Sequence, residues 1–394
     1  MSRGIAPYPR WYLLCIASHM LLITDSKSLS AFCERVAASS NFITVDTEFI
    51  RETTYWSELC LIQIAGEEDA AAIDVLSKNL DLSPVLDLMR NVSVIKVFHA
   101  ARQDLEIFFR LMDEIPRPIF DTQIFSMVCG FGESVGYETL VKSLTKERID
   151  KTARFTNWKH RPLSKKQLSY ALSDVTHLRI IYQRLLQMLF RNGRTDWVTQ
   201  ELEVLTNVQT YLMEPNESWK RLKHKLSKPR QLLILREVAA WRENEAQRRN
   251  IPRTHVLRDQ ALIEIASQAP RTERALRTLR GLKTGLPKAE KLTSLLAAIN
   301  KGAELPENLA PVLPRRTQKD ASMEATRDLI KILLKHSSNE HGVAPKLIIN
   351  ADGIEKLISR ENCMDEVLSG WRYEIFGRHV TKLLEGNSHK LIKF

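Results

Sequence analysis

The stretch 42–64, FITVDTEFIRETTYWSELCLIQI, constrains the fold of this chain more than any other. Phe42, Ile43 and Val45 are aromatic and β-branched residues that suit a buried pleated strand, and their run closes in Asp46, Thr47 and Glu48. Side chains alternate faces along a strand, so Asp46 and Glu48 project to one side and can share one cation. A second apolar run, 59–64, follows a polar turn and pairs back as a hairpin. Burying two carboxylates beside a core strand is costly unless a metal or another cation balances them. Taken alone, the same D-x-E pattern also fits a capping Asp followed by a solvated Glu.

A chain of 394 residues has room for two or three domains. Its formal net charge of +11 points to a polyanionic partner, nucleic acid first and an anionic membrane surface second. The cysteines Cys15, Cys33, Cys60, Cys129 and Cys363 are scattered and never in C-x-x-C spacing. That argues against a zinc site or a disulfide framework and fits a reducing cytoplasm. No apolar run reaches the roughly 18 to 20 residues a membrane span needs, so no membrane association is expected. Residues 1–20 carry a short apolar patch and two prolines, Pro7 and Pro9, and receive no assignment.

From residue 21 to 74 the pattern predicts strand, helix, strand, strand, strand. Leu29, Phe32, Cys33 and Val36 lie at helical spacing behind Asp25 and Ser26, and 70–73 completes an antiparallel meander. A helix over 85–89, a strand over 94–98, a helix over 101–111 and a strand at Ile119 and Phe120 follow. This alternation argues for a mixed α/β sheet covered on both faces. The strand 94–98 runs into His99, with Asp104 in the first turn of the next helix, and such strand ends are where sites are commonly built. Asp104 also suits the helix dipole, and His99 suits a hydrogen-bonded strand end. Asp121 reads as a cap for a helix starting at Thr122.

The stretch 158–189 begins with Ser164 and Gln167 as a capping box and Leu163 and Leu168 as a hydrophobic staple. Leu168, Leu172, Val175, Leu178, Tyr182, Leu185 and Leu189 form its apolar stripe. Tyr170 and Asp174, four apart, share a face at the flank of that stripe. A Tyr beside an acid is also ordinary core furniture.

Asp46 and Glu48 on a strand, Asp104 early in a helix, and Tyr170 with Asp174 on a later helix together resemble the three exonuclease motifs of the DEDD superfamily, in its tyrosine branch. The surrounding residues, VDTEFIRETTYW, FHAARQDLEIF, DTQIF and NWKHRPLSKKQLSYALSDVTHL, are similar to the ribonuclease D family. The resemblance covers 21–215 and implies a ribonuclease H-like α/β domain with Asp46, Glu48, Asp104 and Asp174 as ligands of two divalent metal ions. Oxygen-only ligands favour Mg²⁺ or Mn²⁺ over zinc. Tyr170 would orient the attacking water, being a poor base at neutral pH. The implied activity is 3′-to-5′ hydrolysis of RNA, chiefly 3′ tails of tRNA precursors and other structured RNAs, with release of nucleoside 5′-monophosphates. Tyr55 and Trp158 are candidates to stack on bases, Arg161 to hold a phosphate and His99 to contact substrate; core packing is the other reading of the aromatics, and helix capping of Arg161.

Beyond residue 215 the chain turns helical and basic. QLLILREVAAWRENEAQRRNIPRTHVLRDQALIEIA resembles the HRDC domain, with Leu232, Leu235, Val238, Ala239 and Trp241 facing inward. Arg248, Arg249, Arg253 and Arg258 either contact phosphates or form a solvated face. The implied organisation is an exonuclease domain over 21–215, a first HRDC domain over 216–302, a Pro-rich linker over 303–319 and a second, divergent HRDC-like domain over 320–394. No G-x-x-x-x-G-K-[ST] occurs, so no nucleotide cofactor is expected, and a monomer is expected. A DNA exonuclease would use the same acids, whereas a catalytically dead scaffold should have lost one of them.

Overall fold

The computed structural model describes residues 21–150, 152–282, 289–313, 323–359, 367 and 369–385. Two compact units emerge, one comprising residues 1–48, 59–208 and 317–394 and the other residues 49–58 and 209–316.

The first unit is built on a six-stranded sheet with order β1-β4-β3-β2-β5-β6. The strands are β1 (Leu21–Ile23), β2 (Phe42–Ile50), β3 (Glu58–Ala65), β4 (Ala70–Ile73), β5 (Ile95–Phe98) and β6 (Ile119–Asp121). β3 and β4 pair antiparallel, with Ile62 opposite Ile73, while β2, β5 and β6 run parallel, with Phe42 opposite Ile95 and Lys96 opposite Ile119. The sheet is therefore mixed, as expected, and its parallel half requires helical crossovers. β2 continues past its acids to Ile50, because Phe49 and Ile50 sustain the β pattern. Asp46 thus sits within a strand and caps no helix.

The helices of this part are α1 (Ser26–Ser39), α2 (Ser83–Arg90), α3 (Arg102–Met112), α4 (Thr122–Ser126), α5 (Tyr137–Thr145), α6 (Lys165–Asn192) and α7 (Thr199–Thr206). Their starts follow local chemistry. The Asp25 carboxylate accepts from the Ser28 amide, Asp121 accepts from the Gln123 and Ile124 amides, and Ser164 with Gln167 forms the reciprocal capping box. Leu172, Val175, Leu178, Tyr182, Leu185 and Leu189 of α6 are buried, whereas Leu168 at its head is half-buried.

The second unit carries α8 (Pro229–Arg249), α9 (Arg253–Val256), α10 (Asp259–Gln268), α11 (Glu273–Arg277) and α12 (Ala289–Glu304). Leu235, Val238, Leu262, Ile265, Leu276, Leu295 and Ile299 form its core, with Trp241 packed at the margin. Gly302, just before the stretch read as a Pro-rich linker, lies inside α12. A Cβ there would meet the Ile234 Cα at 2.7 Å, so this glycine lets α12 approach α8 closely. The linker residues 314–319 lie outside the described residues.

The Glu243 side chain in this unit is fully buried, at 0% exposure. It accepts from Arg253 at 2.6 Å and from the Tyr55 hydroxyl, and the Arg253 guanidinium lies 4.6 Å from the Tyr55 ring centroid. Burial alone would raise the Glu243 carboxyl, yet the Arg253 and Tyr55 hydrogen bonds outweigh it and hold the carboxyl below its ordinary value.

The remaining helices, α13 (Glu324–His341), α14 (Pro345–Ile348), α15 (Ala351–Ser359), α16 (Gly370–Arg372) and α17 (Arg378–Leu384), belong to the first unit. The Ala344 amide donates to the Met127 carbonyl at 2.8 Å, Arg194 donates to the His341 carbonyl at 2.6 Å, and Trp197 stacks on Trp371 with centroids 4.4 Å apart.

Glu243→Ala removes the buried acceptor of both Arg253 and Tyr55. The expected loss is about 3 kcal/mol, near the low end for breaking a buried pair because Arg253 keeps some solvent contact. Urea unfolding followed by tryptophan fluorescence measures it, and Glu243→Gln should lose less.

Candidate active site

β2 supplies Asp46 and Glu48 on one face. The one acid of α6, Asp174, is brought to it by a hydrogen bond that links positions far apart in the chain. Thr44 Oγ1, two residues before Asp46, donates to the Val175 carbonyl at 2.8 Å, one residue past Asp174. The Tyr137 hydroxyl from α5 donates to the Asp174 carbonyl itself, and Arg179 donates to the Gly66 and Glu67 carbonyls at 2.8 Å each. Held this way, the ligand atoms of Asp46, Glu48 and Asp174 lie within 4.8 Å of one another.

Asp104 arrives by a different device. β5 ends at Phe98, and Ala100 takes a left-handed backbone with φ 58°. The Asp121 carboxylate, at the end of neighbouring β6, accepts from the Ala100 amide at 3.1 Å and the Ala101 amide at 2.8 Å. The cap read for α4 therefore also fixes the start of α3. Asp104, in the first turn of α3, is buried and accepts from Thr47 Oγ1 at 2.5 Å. It stands beside the three clustered acids, without joining their tight group.

The electrostatics follow from crowding four acids in a place poor in water. Burial first, then the charge of Asp174, raises the Asp46 carboxyl well above its ordinary value. Burial and then Asp46 do the same to Asp104, against the Thr47 hydrogen bond. Glu48 is pushed up to about 10 by burial and by Asp46, Asp174 and Asp104. Asp174 rises to about 7 by burial, opposed by a hydrogen bond from Tyr170 and by the charge of Arg154. Four such groups cannot all be ionised without added positive charge. Three convergent carboxylates with only oxygen to offer fit a hard divalent cation, and Asp46, Glu48 and Asp174 are the residues that could hold it.

The residues expected at the substrate each have partners within the fold. Trp158 is only 3% exposed and packs 6.2 Å from the Tyr170 ring, which leaves neither face open to a base. Tyr55 is buried against Glu243 and Arg253. Arg161 is committed to Asp74 at 2.6 Å and to the carbonyls of Trp158, His160 and Cys60. His99 pairs with Thr122 Oγ1 at 3.0 Å beside the Tyr137 ring, and burial lowers its pKa to about 4, so the ring is neutral. Arg253 likewise belongs to the buried Glu243 network, while Arg248, Arg249 and Arg258 are exposed. In each of these cases a long polar or aromatic side chain has a partner in the fold that only tertiary packing supplies.

Sequence reasoning missed Thr44, Thr47, Tyr137 and Arg154. A threonine before an acid on a strand carries no motif signal, Tyr137 opens a short helix outside any motif, and Arg154 comes from a connecting segment.

The mixed-sheet domain, with acids gathered from β2, α3 and α6, falls in the class of 3′-5′ exonucleases, whose family model matches residues 20–190. The HRDC domain model matches residues 231–299. The chain is 45% identical to ribonuclease D of Bartonella henselae over 93% of this chain and 90% of that one. It is also 45% identical to ribonuclease D of Nitrobacter hamburgensis, over 93% and 96% respectively. The crystal structure of Escherichia coli RNase D, an exoribonuclease involved in structured RNA processing, superposes with a TM-score of 0.79 at 29% identity, covering 94% of this chain and 99% of that one. The chain belongs to the ribonuclease D family. It is a 3′-5′ exoribonuclease, a hydrolase with an α/β exonuclease core and a helical HRDC domain.

Because the folded state holds Glu48 protonated up to about pH 10 against 4.5 for a free carboxyl, the metal-free protein binds a proton that the unfolded chain releases. Its stability should therefore fall as pH rises through that window. Glu48→Gln should raise the metal-free Tm at alkaline pH and flatten the dependence. Magnesium should raise the wild-type Tm more at about pH 8 than at about pH 6, because cation and protons compete for the same oxygens. Thermal scans at both pH values check this, and a magnesium effect that is equal at both counts against it.

Proposed function

We propose that this chain trims the 3′ ends of tRNA precursors and other structured RNAs, one nucleotide at a time, releasing nucleoside 5′-monophosphates by two-metal hydrolysis. The observation that carries the reading is the convergence of Asp46, Glu48 and Asp174 within 4.8 Å, beside Asp104. These four acids are the proposed ligands of Mg²⁺ or Mn²⁺. When bound, the ions supply Lewis acidity for activating water and for stabilising the leaving 3′-oxygen. Thr47 holds Asp104 in position, and Tyr137 fixes the backbone at Asp174. Burial and the charge of Asp174 raise the Tyr170 hydroxyl above its ordinary value, so it stays protonated. It acts as a hydrogen-bonding group that orients the attacking water, with no role as a base.

The preference for structured RNA is supported by the part the E. coli relative plays in structured RNA processing and by the net charge of +11. The proposed organisation is catalysis in 21–215, RNA capture by the first HRDC domain over 216–302, and a second HRDC-like domain over 320–394. Among the described residues no helix is long and apolar enough to cross a membrane, and Cys33 and Cys129 are free thiols. The reading includes a cytoplasmic location and a monomeric state.

Asp46→Asn should slow cleavage of a 3′-tailed, end-labelled RNA at least about a thousandfold. Tyr170→Phe should lower kcat by about 10- to 1,000-fold with little change in RNA affinity, measured by single-turnover rates beside equilibrium binding. Undiminished cleavage by Asp46→Asn in chelating buffer would end the two-metal account.

The exposed arginines Arg248, Arg249 and Arg258 should each add close to one unit to the slope of log affinity against log salt. Changing all three to Ala should make that slope shallower by about two to three units on a precursor RNA. An unchanged slope would return them to a solvated face.

A further inference from the structure

The segment 152–163, between α5 and α6, is anchored at both ends and presents two side chains outward. Ala153 is buried, and its carbonyl accepts from Thr156 Oγ1 at 2.7 Å. That same hydroxyl accepts from Gln167 Nε2 at 3.1 Å, one turn ahead of Tyr170 on α6. Trp158 is buried against Tyr170, and Arg161 clamps the far end through Asp74 and three backbone carbonyls. Between these anchors Phe155 is 90% exposed, with the exposed Arg154 guanidinium 5.1 Å from its ring centroid.

Single exposed apolar residues are common and need no explanation. This one differs in three ways: its loop is pinned to the helix bearing Tyr170 and Asp174, a cation stands over its ring, and the field of that cation is felt at the acids. Arg154 bears electrostatically on Glu48 and Asp174 and lowers both carboxyls. A guanidinium at the rim of an acidic centre attracts the phosphate that the carboxylates repel. An open phenyl ring next to it offers a face to any base, and stacking tolerates every sequence, as an enzyme that shortens RNA stepwise requires.

We propose that Arg154 and Phe155 form a clamp for the RNA 3′ end, Phe155 stacking on a base near the terminus and Arg154 holding the phosphate beside the scissile bond. The clamp takes over the stacking and phosphate roles for which Trp158 and Arg161 are too deeply committed. It rests on the exoribonuclease reading of the neighbouring acids.

The test uses the full chain and an unstructured RNA with 2-aminopurine at its 3′ end, bound in calcium so that cleavage does not intrude. Phe155→Ser should weaken binding about tenfold to a hundredfold and abolish quenching of the 2-aminopurine, while Phe155→Trp restores both. Arg154→Ala should make the salt slope shallower by about one unit, and Arg154→Lys should keep the slope while losing affinity, because a point charge replaces a planar fork. All four variants should keep the wild-type Tm, since both positions are exposed. Wild-type quenching and slopes in Phe155→Ser and Arg154→Ala, beside a wild type that shortens the RNA in magnesium, would overturn the clamp. Loss of quenching in Phe155→Ser beside a wild type that does not shorten RNA would support the clamp and overturn the exonuclease reading of the site.

Discussion

Mutual repulsion among Asp46, Glu48 and Asp174 is the constraint on which the architecture of the first unit depends. Carboxylates within 4.8 Å of one another in a partly buried place are unstable as anions, so the surrounding chain has to hold them there. It does so with backbone hydrogen bonds, and those made at Asp174 and Val175 come from side chains that carry no charge. Thr44 joins β2 to α6 at Val175, and Tyr137 joins α5 to the same turn. Neutral donors suit the task, because charged ones would neutralise the acids and remove their pull on a cation. The raised carboxyls are the electrostatic consequence, and a divalent cation bound there would relieve them.

Asp121 shows how a local rule acquires a long-range use. Its carboxylate caps α4 as the sequence pattern predicts, and it also accepts from the amides of Ala100 and Ala101. This second pair of bonds supports the left-handed turn at Ala100 and so aims the first turn of α3, with Asp104, at Thr47. Four amide donors offset part of the cost of burying one carboxylate. The same logic recurs at Glu243, where Arg253 and Tyr55 satisfy a fully buried acid within the second unit.

The segment before α6 combines rigidity with exposure. Arg161 and Trp158, both tempting as substrate contacts, are spent on holding the backbone. That expense makes Arg154 and Phe155 geometrically defined while they remain open to solvent. A site built this way puts stiffness into buried pairs and leaves recognition to groups with no competing partner in the core.

Much of this was legible in the residues alone. Strand alternation placed Asp46 and Glu48 on one face, the capping box located the start of α6, and four-residue spacing set Tyr170 beside Asp174, because these relations depend only on the local geometry of strand and helix. The family likeness of the motifs carried the activity class. Roles that depend on what lies across the fold were not legible: Tyr55, His99, Trp158, Arg161 and Arg253 have partners within the fold, and α12 runs on to Glu304 where a linker was expected from 303. The joining of the acids themselves was decided by Thr44 reaching Val175, 131 positions away in sequence. Periodicity and capping act over a few residues, so sequence determines which face a side chain takes; only packing of distant segments determines whether that face meets a partner, a cation or solvent.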